Sequence, residues 1–154
     1  MKKQQKGFSL IELLIVVAII LIIAAIAIPN LIKSKMAANE ASAVGSLRTI
    51  TTSQISYSSQ CPSIGFAATL APLGPGPGDC TGANLLDNQL VTGVKSGYKF
   101  TPSATAASGV NVTFTTLADP QSASTGTRHF YVNETGVIRY NQSAPASNSD
   151  NALQ

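Results

Sequence analysis

The sequence predicts an α+β fold in which one long amino-terminal α-helix, apolar in its first half and amphipathic in its second, packs on a small antiparallel β-sheet head. Three observations lead there. No polar side chain occurs from Leu13 to Ile28, and Glu12 is the only charge between Phe8 and Ile32. From Ile32 to Tyr57 a band of residues recurs with helical period, and from Tyr98 onwards short segments alternate apolar and polar side chains. The chain is 44% hydrophobic and 11% charged over 154 residues, an apolar excess concentrated at the front. The expected organisation is a basic segment at 1–7, a hydrophobic helix at 8–30, its amphipathic continuation at 31–60, a head at 61–140 and a polar tail at 141–154.

As a helix, residues 8–32 extend roughly 38 Å, enough to cross the hydrocarbon core of a bilayer. Lys2, Lys3 and Lys6 directly precede this segment and hold that end in the cytoplasm, so the chain beyond the helix is expected on the periplasmic side. Removing those three from the ten basic residues leaves seven, matched by seven acids. The basic balance therefore belongs to the front of the chain, and no specific nucleic-acid site is evident in the rest.

An ordinary secretory signal places a small-residue cleavage site after its apolar stretch. Here Lys6-Gly7-Phe8-Ser9-Leu10-Ile11-Glu12 stands before the stretch, and Ala24-Ala25-Ile26-Ala27 only imitates such a site. Glu12 admits two physical readings. A carboxylate in an intramembrane helix is costly and marks function; near the helix start, the positive end of the dipole welcomes it. Pro29 cannot donate to the carbonyl of Ala25 and crowds that turn, so a kink or break is expected there, or a plain end to the span.

Residues 6–30, KGFSLIELLIVVAIILIIAAIAIPN, resemble the amino-terminal segment of type IV prepilins and type II secretion pseudopilins, with weaker likeness through residue 60. The resemblance implies that 1–7 is a leader peptide, which a membrane prepilin peptidase removes between Gly7 and Phe8 before methylating the new amine on Phe8. It implies that Glu12 meets the Phe8 amine of a neighbouring copy during filament assembly, and that the helix continues through Pro29, bending or partly melting there. The implied partners are copies of the same chain, the peptidase/methyltransferase, an inner-membrane assembly platform and the lipid of the inner membrane, with the head periplasmic before assembly and at the cell surface afterwards.

Beyond Pro29, the positions Ile32, Met36, Ala43, Leu47, Ile50, Gln54 and Tyr57 fall in a band about 80° wide at about 100° per residue, while Lys33, Ser34, Arg48, Thr49 and Thr52 point elsewhere. This is the stripe of a helix docked on its own domain, ending near Gln60. Cys61 and Cys80 are the only cysteines, and on the exported side a disulfide between them is expected, contributing roughly 3 kcal/mol; the alternative is two buried thiols.

Between Ile64 and Gly82 the Gly/Pro-rich composition, notably Pro72-Leu73-Gly74-Pro75-Gly76-Pro77-Gly78, predicts a surface loop. Three or four strands come after it. Tyr98 and Phe100, then Val110, Val112 and Phe114, then Phe130 and Val132 each form one apolar face, and a turn at Asn133-Glu134-Thr135-Gly136 returns the chain into Val137–Tyr140. The tail is mostly Ser, Ala, Asn and Gln, and mobility is expected.

Enzyme chemistry has little to rest on. His129 has no accompanying G-x-S-x-G motif, GPGPG lacks the Lys-Ser/Thr of a phosphate loop, and no cofactor is implied. Asp119 with Asn133 and Glu134 lacks the spacing of a dedicated calcium loop. The resemblance implies a structural subunit of a type IV pilus, with a secretion pseudopilin as the alternative and a non-polymerising, membrane-anchored binding domain as the rival class.

Overall fold

The computed structural model describes residues 8–153. Residues 1–7, where the leader and its Gly7 are expected, lie outside the described residues. The chain divides into two units, residues 1–35 and residues 36–154, and helix α1, Leu10–Gln60, contributes to both.

In the first unit α1 is exposed on all sides. Leu10, Ile20, Leu21 and Leu31 are 58–80% exposed, and none of the most apolar 18-residue window is buried. The helix runs without interruption through Pro29, so the break that proline could cause does not occur. Nineteen helical residues precede Pro29 and thirty-one follow, enough ladder on both sides to absorb the hydrogen bond it lacks, a cost of about 3 kcal/mol.

In the second unit the buried side of α1 carries Ala43, Leu47, Ile50, Gln54 and Tyr57, five of the seven stripe positions read from the sequence. Ile32 belongs to the first unit and stays exposed, and Met36 is half-buried. The stripe meets a six-stranded antiparallel sheet with strand order β1-β2-β3-β4-β5-β6: Val94–Lys95, Tyr98–Ala107, Val110–Pro120, His129–Asn133, Arg139–Asn141 and Asn151–Ala152. Tyr98, Phe100, Ala118, Phe130 and Val132 face the helix and join Leu47, Ile50 and Tyr57 in one core. Burying each large side chain contributes about 1.5–3 kcal/mol.

The sheet has two more strands than the alternating pattern indicates, because β1 and β6 are two residues long and too short to show a period. Strands β2 and β3 form a long hairpin closed by Ser108 and Gly109, at φ +53° and +84°. Val112, expected on the apolar face, is half exposed in it. The loop from residue 61 is more ordered than its Gly/Pro content suggests. It holds a 3-10 turn at Ala71–Leu73, buries Ala67, Leu70 and Leu73, and leads into a one-turn helix α2, Asn88–Val91, capped by the Asp87 carboxylate on the Leu90 N–H at 2.7 Å.

The tail is docked rather than mobile. Asn151–Ala152 pair with β5, Ala146 is buried, and the Asp150 carboxylate accepts from the N–H and hydroxyl of Ser147 and from the Asn141 amide. These polar bonds do what apolar periodicity does elsewhere.

Candidate assembly site

The features that point to function begin at Phe8, which is 87% exposed. Ser9 stands immediately before the first helical residue, and its N–H donates to the Glu12 carboxylate at 2.8 Å. This is one half of a capping box, whose Ser-x-x-Glu spacing is visible in the sequence but is masked there by the apolar run. Glu12 thus lies exposed in the first turn of α1, where orphan N–H groups favour an anion. After it, side chains with no hydrogen-bonding capacity run to Ile28, exposed throughout except for the partly covered Ala24. Among the described residues this is the one helix long and apolar enough to cross a membrane. An apolar surface of that extent needs lipid or other copies of itself against it.

The head is closed at its top by the disulfide. Cys61 and Cys80 are joined, with their Cα atoms 5.8 Å apart. The Tyr57 hydroxyl donates to the Cys80 carbonyl at 2.8 Å, so the last buried aromatic of α1 holds the far end of the disulfide loop. Burial pushes the Tyr57 phenol above its ordinary value, and the nearby Asp79 carboxylate adds to this.

At the other end, Glu40 is a residue that periodicity does not single out. It lies about 20° beyond the edge of the apolar band, and that position is the only signal the sequence offers. The buried carboxylate accepts from the N–H groups of Thr127 and Arg128, from the Thr127 hydroxyl and, at 2.7 Å, from the Arg128 Nε. Burial pushes the carboxyl up, but those donors and the guanidinium together outweigh it, and it stands below its ordinary value. The Arg128 guanidinium also lies over the rings of Phe130 and Tyr140, at 5.4 and 5.7 Å.

The His129 Nδ1 lies 2.6 Å from the Asp119 carboxylate on the solvent side of β3 and β4. No hydroxyl or thiol hydrogen-bonds this His129 among the described residues, and among them no three His, Cys, Asp or Glu side chains gather as metal ligands. Asp119, Asn133 and Glu134 are not brought together: Asp119 binds His129, and Asn133 accepts from Thr135 in its own turn.

Residues 2–28 match the family described as the prokaryotic N-terminal methylation motif. Over 128 residues, 79% of this chain and 69% of the relative, the sequence is 37% identical to the type IV major fimbrial protein FimA of Dichelobacter nodosus. The chain belongs to the type IV pilin family. The pilin is 49% identical over 57 residues to the type IV major pilin protein PilA of Myxococcus xanthus, a match covering 37% of this chain and 26% of that one. It is 58% identical over 38 residues to the type IV wide pilus major component PilA4 of Thermus thermophilus, covering 25% of this chain and 29% of the relative. No solved structure matches the pilin. Its long helix on an antiparallel sheet is the pilin-like α+β arrangement that the resemblance implies.

Proposed function

We propose that this pilin is the structural subunit of a type IV pilus, held in the bacterial inner membrane by residues 8–30 with its head in the periplasm, and then polymerised into a surface filament. The observation that carries this reading is the exposed apolar first half of α1 with one carboxylate, Glu12, in its first turn. A mere anchor gains nothing from that carboxylate, whereas a subunit that exchanges lipid for copies of itself gains a register mark. Each misaligned state leaves a charge unpaired in an apolar bundle. In the filament Glu12 pairs with the Phe8 amine of a neighbour, after the peptidase has cut between Gly7 and Phe8 and methylated that amine. Relatives named as major components of pili and fimbriae support a surface pilus over a secretion pseudopilus. Adhesion, motility and DNA uptake are the tasks such a filament serves.

The test is Glu12→Ala at equal expression, comparing sheared filament with membrane-bound subunit. Insertion and leader cleavage should persist, because the change makes the span more apolar. Filament yield should collapse, since a stranded partner of a buried pair costs about 3–5 kcal/mol at every subunit. Normal yield would reduce Glu12 to a helix-start residue and favour the non-polymerising anchor.

A further inference from the structure

The charges of residues 36–153 nearly all find local compensation. Glu40 is paired with Arg128, Asp87 with Lys95 at 3.1 Å, and Asp119 with His129, while Lys99 stands directly across from Asp119 in the β2–β3 register. Arg139 donates to the Asp150 carbonyl, and its charge helps hold the Asp150 carboxyl below the usual range, after the hydrogen bonds from Ser147 and Asn141. Asp79 accepts from the N–H and hydroxyl of Thr81 within its own loop. The exposed cations Arg48 and Lys99 and the exposed anion Glu134 have no ion pair or side-chain hydrogen bond among the described residues, and of these only Lys99 faces an opposite charge, Asp119, in the sheet register.

Arg48 and Glu134 stand in different settings, the one beside a groove and the other in a tight turn. Arg48 borders a groove of about 400 Å³ between the outer face of α1 and the loop at Leu85, lined also by Thr49, Thr52 and Ser56. The hydroxyls of Thr49 and Thr52 are spent on the carbonyls of Gly45 and Arg48, and Leu85 gives the groove an apolar wall. Glu134 sits in the β4–β5 turn. Asn133 closes that turn by accepting from the N–H and hydroxyl of Thr135 through its side chain and from the Gly136 N–H through its carbonyl, with Gly136 at φ +74°. Val137 comes next, 39% exposed. A turn stiffened by its own hydrogen bonds, presenting one carboxylate and one valine, loses little entropy on docking.

We infer that the β4–β5 turn of one copy seats in the α1–Leu85 groove of a second copy, with Glu134 on Arg48 and Val137 against Leu85. The occupant is a second copy because each surface supplies the charge that the other lacks. The inference rests on the reading that this pilin polymerises, and makes the contact a head-to-head one that is independent of Glu12.

The experiment is charge reversal on the full chain in cells, read as sheared filament per membrane-bound subunit. Arg48→Glu and Glu134→Arg should each lower the yield at least about tenfold, because each sets like charges against one another, and the double variant should recover to within about twofold of wild type. Arg48→Cys combined with Glu134→Cys should give a ladder of disulfide-linked multimers in filaments, with neither single variant doing so beyond dimers. Normal yield from both single variants, or no recovery in the double, overturns the pairing while leaving polymerisation standing. Recovery of Arg48→Glu by Asp79→Arg instead of Glu134→Arg would overturn it too. A wild type that makes no filament removes the polymerisation reading itself, and this inference with it.

Discussion

The side-chain amide of Gln54 takes the place of a strand partner for Ala67, donating to its carbonyl oxygen and accepting from its N–H, both at 2.8 Å. Gln54 is fully buried, so this pair fixes the loop after the disulfide against α1 without water. Gln54→Leu keeps the volume and strands two backbone groups. The variant should be about 2–4 kcal/mol less stable by urea unfolding of the detergent-solubilised chain. A loss below about 0.5 kcal/mol would mean that the loop does not depend on this anchor.

Thr116 presents the opposite case. Its hydroxyl is buried in β3 between Phe114 and Ala118, with no hydrogen-bond partner among the described residues. Thr116→Val replaces it with a methyl of similar shape and should raise stability by about 1 kcal/mol, seen as a higher unfolding midpoint. A destabilised variant would reveal a bond that this geometry does not contain.

The Glu40 latch sets an acid limit. Its folded carboxyl lies below the ordinary value of 4.5 and gives up its proton more readily than in the unfolded chain. The stabilisation is therefore complete above about pH 4.5 and fades as the pH falls further. Unfolding midpoints measured from pH 7 to pH 3 should drop in the wild type and drop less steeply in Glu40→Gln. Parallel curves would remove Glu40 as the source.

Processing can be read directly by mass. Intact-mass analysis of subunits from filaments should find residues 1–7 absent and one methyl on the amine of Phe8. A chain beginning after Ala27 would instead identify an ordinary signal peptide.

Much of this architecture is legible because it follows from periodicity. The run from Leu13 to Ile28, the stripe through Leu47 and Tyr57, and the alternation at Tyr98, Phe114 and Phe130 are all set by which side chains must leave water. What escapes is built from polar bonds. Glu40 is an acid at the margin of an apolar stripe, Ser9 and Glu12 meet through a cap, and the tail is held by Asp150, which no hydrophobic pattern announces. Strands β1 and β6 and helix α2 are too short for any period to register.

The sheet has one further consequence, for how the head is made. Its strands lie side by side in chain order, so each should find its neighbour as the chain folds, with few long loops to close. The latch between Glu40 and Arg128 is different, joining residues 88 apart. It can form only once the chain has run past β3. A shut latch therefore records that the chain is present as far as the start of β4, and it holds the first turns of the packed helix to the second half of the sheet before β5 and β6 close the edge.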